Sequence, residues 1–116
     1  MVTSSQPRIY QRMKEKMPAF VAAVDNIGSL IQQAGPLDEK SIQLIQLAAS
    51  AAIRSEGALH SHTRRALKAG ASPAEIRHAL LCLTSTIGFP GVADALSWAD
   101  DEIDSTSATD SVERAS

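Results

Sequence analysis

The residues in this 116-residue chain best suited to chemistry are two closely spaced histidines, His60 and His62, and a set of polar side chains upstream of them. On a helix a spacing of two turns the rings roughly 200° apart, so the pair cannot chelate one ion from one face, and no metal site is expected. Upstream, Gln43, Gln46, Ser50 and Arg54 recur at i, i+3, i+7 and i+11, which makes a polar stripe on an otherwise apolar segment. An antiparallel hairpin turning near residues 55–57 would bring Gln43, Ser55 and His62 together. In that arrangement His62 exchanges a proton near neutral pH, Gln43 and Ser55 orient the ring or a ligand, and Arg54 holds a carboxylate. These roles need no cofactor.

Cys82 is the only cysteine. It excludes an intrachain disulfide, a two-thiol redox centre within the chain and a zinc site of several cysteines. Its position in the middle of an apolar segment predicts a small core residue.

Glycine and proline divide the chain into helix-sized pieces. Residues 7–17 read as a short amphipathic helix with Ile9, Met13 and Met17 on one face. Pro18 opens a second helix to about Ala34, closed by Gly35. Asp38 is placed to cap a third, running to about Arg54, whose sequence SIQLIQLAASAAI is apolar nearly all round and predicts a central, buried helix. A fourth spans about Gly57 to Ala69 and ends at Gly70. The run Ser72-Pro73-Ala74-Glu75 carries a capping box for a fifth, whose apolar residues Ile76, Leu80, Leu83 and Ile87 lead to Gly88. Pro90 opens a sixth through about Ile103. The expectation is an all-α bundle of about six helices around a central antiparallel hairpin, in one domain over residues 1–104. A polar tail over 105–116, lacking periodicity, is expected to be disordered.

The segments LDEKSIQLIQLAASAAI, SEGALHSHTRRALKAGASPAEIRHALLCL and IGFPGVADAL, lying between Leu37 and Ala95, resemble the carboxymuconolactone decarboxylase and alkylhydroperoxidase-D-like superfamily. The most specific stretches are residues 62–70, residues 72–76 and Gly-Phe-Pro at 88–90. The resemblance implies a compact all-α fold assembled as trimers or hexamers. The redox branch of the superfamily uses a Cys-x-x-Cys pair, a histidine four residues later, and a glutamate on the preceding helix. Counted from His62, those cysteines fall on Ser55 and Ala58 and the glutamate on Gln43, so only the histidine is kept. A hydroxyl and a methyl cannot reduce a peroxide through a disulfide, and an amide cannot accept the proton a carboxylate would. The decarboxylase branch has no need of thiols, although acids usual in it correspond here to Gln43 and Ala58. By this resemblance His62 and Arg54 would stabilise the enolate formed as carbon dioxide leaves a lactone.

Composition narrows the alternatives. A chain that is 44% apolar and 21% charged fits one globular domain, with a core of small aliphatic residues because aromatics are scarce. Neither a secretory signal nor a membrane span is found, so a cytoplasmic protein is expected. The net charge of −2 hides an acidic end: from Asp100 onward the balance is −5, and residues 1–99 carry +3. That positive balance lacks a dense basic stripe, and no nucleic-acid partner is expected. The third helix is apolar on more faces than one small bundle covers, which argues for a homo-oligomer. Three functions follow: a non-redox enzyme acting on or binding a small carboxylate or lactone; a catalytically silent oligomeric scaffold or ligand-binding protein; and a thiol peroxidase using Cys82, against which the missing thiol pair speaks.

Overall fold

The computed structural model describes residues 8–115, and the side chains of residues 8–107. Its regular elements are all helical among the described residues: α1 (Arg8–Lys16), α2 (Pro18–Gln33), α3 (Glu39–Ala52), α4 (Glu56–Lys68), α5 (Pro73–Leu81), α6 (Thr84–Ile87) and α7 (Phe89–Ala115). Two compact units divide the chain, Met1–Glu39 and Lys40–Ser116. In the first, α1 and α2 pack together, and the Tyr10 hydroxyl donates to the Asp25 carboxylate at 2.8 Å. Pro18, which has no amide proton to give, sits in the first turn of α2. Phe20, Val24, Ile27 and Ile31 follow the helical repeat along α2, and all four are exposed.

In the second unit the core is built from Leu47 and Ala51 of α3, Leu59 and Ala66 of α4, Ile76 and Leu80 of α5, and Ala95, Ala99 and Ile103 of α7. Alanine at so many of these positions lets helix axes approach closely. Each fully buried leucine or isoleucine contributes on the order of 1.5–3 kcal/mol. Helix α7 buries the face of Val92, Ala95, Ala99 and Ile103 and packs along α4 and α5. It continues beyond Ile103, where periodicity alone would stop it. Most of the tail expected at 105–116 lies outside the described side chains.

Helix ends follow the local chemistry. The Glu75 amide donates to Ser72 Oγ at 3.0 Å while the Ser72 amide donates to Glu75 Oε1 at 2.9 Å, completing the capping box on α5. Helix α4 closes in a Schellman motif: Gly70 N–H reaches Leu67 O and Ala71 N–H reaches Ala66 O, with Gly70 at φ +99°. Helix α3 closes in the same way, through Arg54 N–H to Ala51 O and Ser55 N–H to Ser50 O. Here the left-handed residue is Arg54, at φ +56°, where glycine would be the default.

Three sequence expectations are corrected. The fifth helix does not run unbroken to Ile87, because the chain turns at Cys82 and Leu83 before α6. Tighter bonds replace the helical ladder there, Leu83 N–H to Leu80 O and Thr86 N–H to Leu83 O, and Thr84 Oγ1 donates to Leu81 O. Cys82 therefore caps α5 and is exposed, not a core residue. Helix α3 is also not buried all round: Ile45 and the following Ile53 are exposed, while Gln43 and Ser50 of the polar stripe are buried. The stripe can turn inward because its polar atoms are satisfied, Ser50 Oγ by the Gln46 carbonyl at 2.8 Å and Gln43 by a residue of α4.

Candidate functional site

The residue that satisfies Gln43 is His62. Gln43 is 5% exposed, one turn into α3, and its Oε1 lies 3.1 Å from His62 Nδ1 on α4. With the carbonyl oxygen as acceptor, Nδ1–H donates, so in the neutral ring the lone pair is on Nε2. The contact thus sets both the tautomer and the orientation of the imidazole. Burial pushes the His62 pKa below its ordinary 6.5, and the nearby positive charge of Arg65 pushes it further the same way. At neutral pH the ring is an uncharged base with one nitrogen anchored and the other available.

Neighbouring side chains explain why this geometry holds. Thr63 is fully buried beside His62 and bonds back to the Leu59 carbonyl at 2.7 Å, while Leu59 and Ala66 lock α4 into the core. On α3, Leu47 does the same one turn after Gln43. Gln43 and His62 are therefore held by rigid elements, which is what a positioned proton-exchanging group requires.

The remaining residues expected in the site have their polar atoms engaged elsewhere. Ser55 is the N-cap of α4, its Oγ accepting the Ala58 amide at 3.4 Å, two helical turns before His62. The positions corresponding to a thiol pair thus form an ordinary helix cap. The Arg54 guanidinium reaches α7 and donates to the Asp94 carboxylate, with both side chains about half exposed. It also lies over Gly91, where an added Cβ would come to 3.5 Å from its Nη1. Gln43 and His62 are brought together, and Arg54 and Ser55 mark a second location at the turn between α3 and α4.

Sequence reasoning missed the cluster on the opposite side of α4. His60 Nδ1 is 3.0 Å from Glu102 Oε1, Arg64 Nη1 donates to the same oxygen at 3.0 Å, and His60 Nε2 lies 3.5 Å from Glu56. The Glu102 side chain is only 14% exposed. Arg77 donates to Asp100 at 2.8 Å, also on α7. Asp100 and Glu102 are thus paired with cations of the preceding helices. The signal was the opposite charge of the two helices, basic residues on α4 and acidic ones on α7; in the sequence Glu102 enters only the charge balance of the acidic end from Asp100 onward. Among the described residues no group of three or more His, Cys, Asp or Glu side chains is arranged to hold a metal ion.

No helix among the described residues is long and apolar enough to cross a membrane. Neither the curated proteins nor the solved structures contain a significant match. The family model for the carboxymuconolactone decarboxylase family matches residues 18–101, a span running from the start of α2 into α7 and containing Gln43, Arg54, Ser55 and His62. With more than half of its length matched and an all-helical architecture, the chain belongs to the carboxymuconolactone decarboxylase family.

Proposed function

We propose that the chain binds and acts on a small carboxylate or lactone at His62, without thiol redox chemistry. The observation that carries this reading is the hydrogen bond from His62 to buried Gln43, which commits Nδ1 and leaves Nε2 to a ligand. A neutral imidazole so held takes a proton from a bound ligand and returns it, the role a lactone or decarboxylation reaction asks of a general acid–base group. Gln43 is a positioning residue. Ser55 and Arg54 act one step away, by starting α4 and by ending α3. Family membership supports the substrate class; the absence of a second cysteine in the chain argues against a disulfide cycle. A binding and turnover screen of small carboxylates and lactones, run on the parent and on His62→Ala, tests the reading. Loss of the parent's activity or affinity in His62→Ala is expected, and full retention refutes it.

A second reading, a silent oligomeric scaffold or ligand-binding protein, draws on two facts. Ser55 is used up as a cap, and Arg54 is already paired with Asp94. Steady turnover that disappears in His62→Ala would overturn it. In either reading the chain is a homo-oligomer, supported by the exposed apolar face of Phe20, Val24, Ile27 and Ile31 on α2, of the kind subunit contacts cover; the family resemblance points to a trimer or hexamer. A cytoplasmic location suits an exposed thiol at Cys82, since a reducing compartment keeps it free.

A further inference from the structure

Arginines at 54, 64, 65 and 77 line the helices of the second unit, and three of them are neutralised from α7: Arg54 by Asp94, Arg64 by Glu102 and Arg77 by Asp100. Arg65 is exposed, and its guanidinium has no hydrogen bond or ion pair to any described residue, only its carbonyl accepting the Ala69 amide. It lies one turn after His62 on α4, at the i, i+3 spacing that puts two side chains on one face. On the same face the His62 ring is anchored through Nδ1 by the uncharged amide of Gln43 on α3. An unneutralised guanidinium therefore stands beside an imidazole whose Nε2 is uncommitted.

We propose that Arg65, not Arg54, takes the ligand's carboxylate at the His62 site. The inference rests on the function proposed above and names the residue that reads the ligand's charge. A planar guanidinium accepts a carboxylate in a two-pronged contact, and no acid of this chain competes for it among the described residues. At Arg54 a ligand would first have to displace Asp94. The pairing has a second effect. Arg65 is the charge that disfavours protonation of His62, so a carboxylate seated on it cancels that repulsion and adds an attraction. The ligand's own charge then raises the proton affinity of His62, turning a resting base into a proton donor once the site is filled.

The test uses the full chain, a γ-butyrolactone carboxylate and its uncharged methyl ester as probes, calorimetry for binding and NMR for the His62 titration. Arg65→Gln is expected to weaken the carboxylate about tenfold or more and to leave the ester within about twofold. Arg54→Gln is expected to change neither by more than about twofold. Without ligand, Arg65→Gln should raise the His62 titration midpoint; in the parent, the carboxylate should raise it and the ester should not. Parent binding that Arg65→Gln leaves intact, or that Arg54→Gln removes, overturns the inference while the proposed function stands. A His62 midpoint unmoved by Arg65→Gln overturns it without any ligand. Failure of the parent to bind either probe counts against the proposed function itself, and Arg65 then has no carboxylate to read.

Discussion

His62 differs from His60 in what each ring faces. His60 sits between two carboxylates, Glu102 and Glu56, whereas His62 faces an amide and a guanidinium. With its pKa held below 6.5, His62 takes up a proton less readily in the folded chain than in the unfolded one. Its contribution to stability is therefore complete above 6.5 and is lost as pH falls from there through the lower folded value. Denaturant titrations at a series of pH values should show this slope, and His62→Gln should flatten it. Gln43→Glu makes the converse case. A carboxylate in place of the Gln43 amide, whose Oε1 lies 3.1 Å from Nδ1, favours the imidazolium, so the His62 midpoint should move up in an NMR titration, accompanied by a stability cost from the buried charge. An unchanged midpoint would mean that Gln43 does not hold the ring in solution.

At the scale of elements, α7 is tied to α4 and α5 by packing and by ion pairs of unequal weight. Arg77–Asp100 is close to half exposed on both sides and contributes no more than about 1 kcal/mol. Glu102 is shielded and serves both His60 and Arg64. Glu102→Gln should cost about 1–3 kcal/mol in urea unfolding, whereas Asp100→Asn should cost under about 1 kcal/mol. The end of α3 gives a case where two effects oppose. Arg54 pays for a left-handed backbone that glycine adopts freely, a difference of about 1–2 kcal/mol, against an exposed pair with Asp94 worth about 0–1 kcal/mol. Arg54→Gly should accordingly be neutral or stabilising by up to about 2 kcal/mol, read as a rise in the urea midpoint. At the start of α5, the Ser72 amide and Lys40 hold the Glu75 carboxyl below its ordinary range, so this cap is intact above pH 4.5 and weakens as pH falls through the folded value.

For the whole molecule, the decisive surface is α2. Phe20, Val24, Ile27 and Ile31 would remain wet in an isolated chain, which is costly at roughly 25 cal/mol per Å² of apolar area. Val24→Asp or Ile27→Asp should lower the mass seen in sedimentation equilibrium at micromolar concentration toward that of one chain, with helical content in the second unit preserved. A parent that sediments as a monomer would remove the oligomer from the proposal.

The sequence by itself determined the helices and most of their ends, because proline, glycine and capping side chains act within a few residues of where they stand. The Ser72–Glu75 box and the glycine turn at 70 were legible for that reason. The family was legible too, in the residues from His62 to Gly70 and around Gly88-Phe89-Pro90. The pairing of Gln43 with His62 followed from hairpin geometry, since residues nearly equidistant from a turn come to the same level. Other features depended on contacts distant in sequence. Whether Gln43 faces in or out is decided by the partner it finds on α4, and the Arg54 guanidinium finds its partner in Asp94, forty residues away. The exposure of Cys82 follows from a break in α5 that its apolar spacing conceals. The same limit applies to charge: a count separates an acidic end from a basic body, but only packing shows that acids of α7 neutralise three arginines and that Arg65, beside His62, has no acid partner among the described residues.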